Sequence, residues 1–279
     1  MLNHQAPDIG SLRNNSDVQT ELTRIAEIAG YLWQRGWAEA NGGNISVNLT
    51  HLANKNILEL PAITAGEALS EDVPEIANNL FYVTGTGKRM RDVAKSPLEF
   101  GAIIRITADG KRFEIVSEKA IKPTSELPSH LSIHNFLKAR GNNKSVVLHT
   151  HPTELIALTH CKPFLDSRHL TRILWSMIPE ARVLVPKGLG IVPYILTGTT
   201  EIAHATIKQL EKYDVVMWEK HGTFAVGDDI ADCFDVIDAL TKSARIYLFA
   251  CTAGFEPQGM TNEQLDELAA AFNLPRNME

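Results

Sequence analysis

The sequence has little of what marks a secreted, membrane-embedded or nucleic-acid-binding chain. Its three cysteines, Cys161, Cys233 and Cys251, are an odd number without CxxC spacing. They fit free thiols in a reducing compartment better than a disulfide framework. No apolar run approaches the roughly 18 residues that a membrane helix needs. The opening "MLNHQAPDIGSLRNNSDVQ" has neither a basic region nor an apolar core of the kind a secretory signal carries. Cytoplasmic location and no membrane partner are expected. Basic residues are also in the minority: Lys+Arg 27 against Asp+Glu 33 leaves a net charge of −6, with no basic block to track a phosphate backbone. Nucleic acid is therefore not an expected partner. With only 13 prolines and no Ser/Gly-rich linker, nothing marks a domain boundary. What is present is an ordinary globular composition, 44% hydrophobic over 279 residues, enough to bury a full core. A flexible tail over 1–17 and a single domain over 18–279 are expected.

Periodicity supplies the elements. "DVQTELTRIAEIAGYLWQRGW" carries Val18, Leu22, Ile25, Ala29 and Leu32 at helical spacing, with Asp17 as N-cap and Gly36 as stop. "NISVNL" alternates Ile45, Val47 and Leu49 at period two and predicts a strand. The stretch 50–78 reads mostly as loop. "FYVT" predicts a strand, and "AIIRITADGKRFEIV" a hairpin with Asp109-Gly110 at its tip. Helices are expected at "LPSHLSIHNFLKAR", "TELIALTH" and "TTEIAHATIKQLEKY", and strands at "SVVLH", "ARVLV" and "DVVMWE". Two closing helices are expected near 228–251 and 262–272, the second opened by a capping box of Thr261 and Gln264. Hairpins mixed with helices that do not alternate strictly with strands argue for α/β/α or α+β layering on a largely antiparallel sheet.

The chemistry begins at "SVVLHTH". Residues two apart on a strand share a face, so His149 and His151 can converge while Thr150 faces away. Taken alone, one buried, hydrogen-bonded histidine and one surface ring would explain the pair about as well. "VVMWEKHGTF" adds His221 just beyond a second apolar strand, followed by Gly222, which permits close approach. Three neutral imidazoles with an open fourth position describe a catalytic zinc site, whereas a closed structural site would usually include cysteine. His130 and His134 sit at i, i+4 on an expected helix but lack the glutamate of HExxH, and read as packing or supporting residues.

Two glycine-rich turns, "NGGN" at 41–44 and "VTGTGKR" at 83–89, can present consecutive N–H groups to an anion. Each alone is as well explained as a plain turn. Met90 occupies the position of the third glycine of a dinucleotide fingerprint, so no nucleotide is expected. "KPTSELPSH" sets Thr124, Ser125 and Glu126 before Pro128 at a helix start, where free N–H groups favour anions.

In this order, "GGNIS", "VTGTGK", "PTSELPSH", "LHTHP", "VPKGLGIVPY", "GTTEIAHAT" and "KHGTFAVG" resemble the class II aldolase/adducin family from about residue 20 to about 272. Only 50–78 resembles it weakly. The resemblance implies a single α/β/α three-layer domain with a central, mainly antiparallel sheet, assembled as a homotetramer with sites at subunit boundaries. It implies one zinc per subunit on His149, His151 and His221. Glu126 would be a further ligand in the empty enzyme and the proton carrier when substrate displaces it. Asn41, Gly43, Asn44, Thr84, Gly85, Thr86, Thr124 and Ser125 match the loops that hold phosphate and hydroxyls. Glu180 matches a catalytic carboxylate lent to the neighbouring subunit. The implied activity is retro-aldol cleavage of a small ketose 1-phosphate. Sugar-phosphate epimerases and dehydratases of the same fold, and non-catalytic adducin-like scaffolds, are the alternatives. The joint presence of the three histidines and Glu126 speaks against a scaffold.

Overall fold

The computed structural model describes residues 10–275. Nine strands form one sheet: β1 (Asn44–Asn48), β2 (Glu67–Ala68), β3 (Leu80–Thr84), β4 (Gly101–Ile106), β5 (Arg112–Ile115), β6 (Val146–Thr150), β7 (Leu189–Val192), β8 (Val215–Trp218) and β9 (Gly222–Gly227). Their order is β2-β5-β4-β3-β1-β6-β9-β8-β7. Every pairing is antiparallel except β7 with β8. The hairpin expected around Asp109-Gly110 is the β4–β5 pair, and Gly110 takes the positive φ of 69° that the turn needs.

The helices are α1 (Gly10–Asn14), α2 (Ser16–Gln34), α3 (Lys55–Leu58), α4 (Met90–Val93), α5 (Pro97–Phe100) and α6 (Leu127–Ala139) in the first half. The second half adds α7 (Thr153–Leu158), α8 (Ser167–Met177), α9 (Pro179–Leu184), α10 (Thr200–Leu210), α11 (Ile230–Thr252) and α12 (Asn262–Ala271). None is long and apolar enough to cross a membrane among the described residues.

Period-two alternation sorts the strand residues into two faces. Ile45, Val47, Leu80, Tyr82, Leu148 and Met217 point into one core shared with Leu22 and Ile25 of α2 and Leu240 of α11. The opposite face packs on α6 and α10, and its apolar core comes in two pieces. Phe81, Val83 and Ile104 meet Leu127 and Leu131 of α6; Val147, Val216 and Phe224 meet Ile133 and Leu137 of the same helix. Between the pieces run Asn44 and Ser46 of β1. Helices on both faces of a mainly antiparallel sheet make the α/β/α layering expected.

Four local expectations are corrected. Helix α2 is capped by Asn15, whose side chain accepts from the Val18 N–H at 2.9 Å, and not by Asp17. Of the expected tail, residues 1–9 lie outside the described residues; from Gly10 the chain is helical, and Leu12 is buried in the core. "ARVLV" is helix rather than strand. Pro179 occupies its first turn, Glu180 offsets the helix dipole there, and Arg182 is held from inside by the Pro186 carbonyl and the Trp175 ring. The strand comes later, as β7. Helix α8, capped by Asp166 on the His169 N–H, and strand β9 stand where no element was expected.

Candidate metal centre

His149 is paired within β6, and His151 follows one residue beyond the strand, so both rings emerge where the sheet ends. His221 comes from the tight β8–β9 turn. That turn is pinned by the Glu219 N–H on the Val192 carbonyl, the Lys220 N–H on Thr159 Oγ1 and the His221 N–H on the Trp218 carbonyl. Lys220 holds a φ of 61° there, a left-handed conformation that side chains other than glycine rarely adopt. Glycines make room for the rings. A Cβ on Gly222 would lie 2.8 Å from both His149 Cε1 and His151 Cδ2, and one on Gly42 would lie 2.8 Å from His151 Nδ1.

One ring nitrogen from each of His149, His151 and His221 falls within 4.8 Å of the others. Two of the rings have their roles fixed from behind. His149 Nδ1–H donates to the Thr223 carbonyl at 2.9 Å, and His151 Nδ1–H donates to Glu39 Oε1 at 2.7 Å. Their Nε2 atoms are then bare lone pairs facing each other at 3.2 Å. Two lone pairs at that distance repel unless a cation lies between them, and about 3.3 Å is the nitrogen–nitrogen edge of a tetrahedral zinc site with bonds near 2.0–2.1 Å. The donor set fits a metal ion.

Electrostatics agree. Burial, reinforced by the two neighbouring imidazoles, holds His149 well below the ordinary histidine value. Burial and His151 bring His221 down to about 4. Both rings are thereby held in the neutral form that is able to ligate a metal. His149 also stacks on Phe224, with centroids 4.3 Å apart.

Glu126 stands at the N-terminus of α6, facing this cluster. Its oxygens lie 3.6 Å from His149 Nε2 and 3.8 Å from His221 Nε2, across a gap too wide for hydrogen bonds. Asn44 Nδ2 donates to Glu126 Oε2 at 3.0 Å. Burial pushes the Glu126 carboxyl above its ordinary value, and the Asn44 hydrogen bond opposes part of that shift.

The remaining sequence candidates divide. Asn44, Thr84, Gly85 and Thr124 are brought together: Thr84 Oγ1 accepts from the Ile45 N–H, the Thr124 N–H donates to the Thr84 carbonyl, and Gly85 bridges to Pro123. Gly43 takes a φ of 76° against the His149 carbonyl. The Thr86 and Thr124 N–H groups are spent on the Lys122 and Thr84 carbonyls. Each of the three loops nonetheless keeps an N–H with no acceptor among the described residues: Gly43, Gly87 and Ser125. Asn41, Thr86 and Ser125 are exposed. Glu180 is also exposed, at the start of α9, and no hydrogen bond or ion pair joins it to the imidazoles among the described residues. A cavity of about 290 Å³ opens beside His221, walled by Tyr194, Leu196, Thr197 and Trp218.

The sequence reading missed Glu39 and Ser46. Nothing in the local sequence marks Glu39, whose partner is 112 residues away. Ser46 had a signal: with Asn44 it forms a polar face on a strand whose other face is Ile45 and Val47.

Comparison with known proteins places this geometry. The model of the class II aldolase and adducin N-terminal domain matches residues 23–248. The chain belongs to that family. It is 50% identical to a rhamnulose-1-phosphate aldolase of Bacteroides thetaiotaomicron, over 95% of this chain and 98% of the relative. It is 35% identical to one of Listeria welshimeri, over 91% of this chain and 92% of that one. Among solved structures, a sugar-phosphate aldolase from Thermotoga maritima superposes with a TM-score of 0.75 at 30% identity, covering 86% of this chain and 99% of that one. The chain thus matches whole class II aldolases, and it carries a set of imidazoles able to bind the metal on which such enzymes depend.

Proposed function

We propose that this protein cleaves L-rhamnulose 1-phosphate between C3 and C4 to dihydroxyacetone phosphate and L-lactaldehyde, using one zinc ion per subunit held by His149, His151 and His221. The observation that carries the reading is Glu126, a buried carboxylate held by Asn44 and aimed at three imidazoles whose lone pairs converge. The likeness to rhamnulose-1-phosphate aldolases supports the choice of substrate.

A cation held by His149, His151 and His221 would supply Lewis-acid stabilisation of the negative charge left on the ketose fragment. The chain's own residues do the rest. As the C4 hydroxyl becomes the aldehyde it releases a proton, and Glu126 returns one to C3, the carbon that loses its partner; burial raises the Glu126 carboxyl above its ordinary value and so eases its passage between carboxylate and acid. Asn44 keeps Oε2 in place, so the proton travels from a fixed position. No Schiff-base lysine is needed. The unspent N–H groups of Gly43, Gly87 and Ser125, with the Thr84 and Thr124 hydroxyls near them, serve the phosphate and hydroxyls. His149 and Phe224 close the rear of the site with stacked rings that exclude water.

The assembly we propose is a homotetramer with the sites at its subunit boundaries. Tyr194 and Leu196, apolar and two-thirds exposed beside His221, supply a surface for a neighbouring copy. The exposed Glu180 is available to that neighbour's site. Three free cysteines support a cytoplasmic location.

The test couples release of dihydroxyacetone phosphate, or of dihydroxyacetone from the bare sugar, to NADH oxidation. The expected order is L-rhamnulose 1-phosphate well above L-fuculose 1-phosphate, with the unphosphorylated ketose barely cleaved. Preference for the fuculose ester overturns the substrate; equal rates with the bare ketose overturn the phosphate loops.

A further inference from the structure

Helix α6 and strand β1 lie side by side with nearly matched repeats. Four residues of helix advance about 6.0 Å and two residues of strand about 6.6 Å, so an i, i+4 row on one can mesh with an i, i+2 row on the other. The helical row is Glu126, His130 and His134; the strand row begins Asn44, Ser46. Contacts run like a zip: Asn44 to Glu126 at 3.0 Å, Asn44 to His130, Ser46 to His130 at 2.6 Å and Ser46 to His134 at 2.8 Å. All five groups are buried, between the two halves of the apolar core on this side of the sheet.

The direction of every hydrogen bond follows from one end. Asn44 Nδ2 donates to Glu126 Oε2, and the same amide therefore presents Oδ1 to His130. His130 Nε2 must then carry a hydrogen. Burial holds His130 and His134 at about 3, so both rings are neutral and His130 Nδ1 is bare. It accepts from the Ser46 hydroxyl, whose oxygen in turn accepts from His134 Nε2–H. Each donor points toward Glu126. The chain orients but does not conduct, because an amide interposed between His130 and Glu126 passes no proton without becoming an imidic acid. Without it the Asn44 amide is free to turn its oxygen toward the carboxylate, which would repel it.

We propose that Ser46, His130 and His134 are positioning residues for Glu126: they lock the Asn44 amide in the one orientation whose Nδ2 donates to the carboxylate. The proposal rests on Glu126 being the proton carrier. Its place is distinct from the metal ligands, and a buried polar row where apolar residues would pack is otherwise unexplained.

The test has two arms on the full-length, metal-loaded protein. Nitrogen-15 imidazole spectra of the wild type at neutral pH should show His130 and His134 as neutral rings with hydrogen on Nε2; hydrogen on Nδ1 of His130 overturns the proposal and requires no variant to fold. In the second arm, His130→Phe should lower kcat about tenfold or more while KM and metal per chain stay within about twofold. His130→Gln, whose Nε2 can still donate to Asn44, should recover most of the loss. An unchanged kcat in His130→Phe, or a loss shared equally by the phenylalanine and glutamine variants, overturns it. Glu126→Ala is measured beside them. If that variant stays active, the proton-carrier reading fails and takes the proposal with it; if it is inactive while His130→Phe is not, the proposal fails alone.

Discussion

On one side of the sheet, β1 places Ile45 and Val47 in an apolar core that draws on seven of the nine strands and reaches α2, α8 and α11. On the other side the same strand places Asn44 and Ser46 in a polar seam that divides the core in two. The first face is filled by shape and apolar area, which many residues could supply. The second is specified atom by atom, because each buried donor there needs one acceptor. Stability belongs mainly to the first face and chemistry to the second.

That division can be broken one face at a time. Ile45→Ala, at a fully buried position, should cost about 2–5 kcal/mol of stability, read as a lowered urea midpoint, with turnover per folded chain unchanged. A matching loss of turnover would show that the faces are not separable. On the metal side, Gly222→Ala should expel metal without unfolding the chain. Its Cβ would lie 2.6 Å from the Thr150 carbonyl and 2.8 Å from both β6-end imidazoles, so the rings must part. Metal content after dialysis should fall from about one per chain to a small fraction.

Acid sharpens the contrast. The folded values of His130 and His134, at about 3, lie below the unfolded histidine value near 6.5. The unfolded chain therefore takes up these protons first, and the stabilisation is complete above about pH 6.5 and is lost as the pH falls toward about 3. Metal-stripped wild type should lose stability over that window more steeply than His134→Phe, measured by urea midpoints at several pH values. Parallel acid limbs would contradict it. Smallest is Glu39→Gln. It replaces an exposed carboxylate behind His151, and should weaken metal affinity about tenfold with turnover at saturating metal nearly intact.

Individual elements are more legible in the sequence than the contacts between them. Alternation in "NISVNL", the hairpin at Asp109-Gly110 and the Thr261/Gln264 capping box each carry a local signal, and each stands in the fold. "ARVLV" misled because a short apolar run suits a buried helix as well as a strand, and Pro179 before it decided for the helix. Strand β9 escaped because glycines bound it at both ends, although its pairing to β6 and β8 is what brings His221 to His149. In the site, the three histidines were legible by their place at strand ends. The support behind them was not: Glu39 reaches His151 from a loop over 100 residues away, a contact that only the tertiary fold creates. His130 and His134 were visible as an i, i+4 pair, but their partner row on β1 became visible only when helix and strand lay together.

The most direct measurement of the central claim is cleavage of L-rhamnulose 1-phosphate by stripped protein, before and after return of one equivalent of zinc, for wild type and Glu126→Ala together. The account predicts that stripped wild type is inactive and is restored by zinc, and that Glu126→Ala rebinds the metal but turns over about a hundredfold or more slowly. Near-normal cleavage by the stripped wild type, or by zinc-loaded Glu126→Ala, would contradict it.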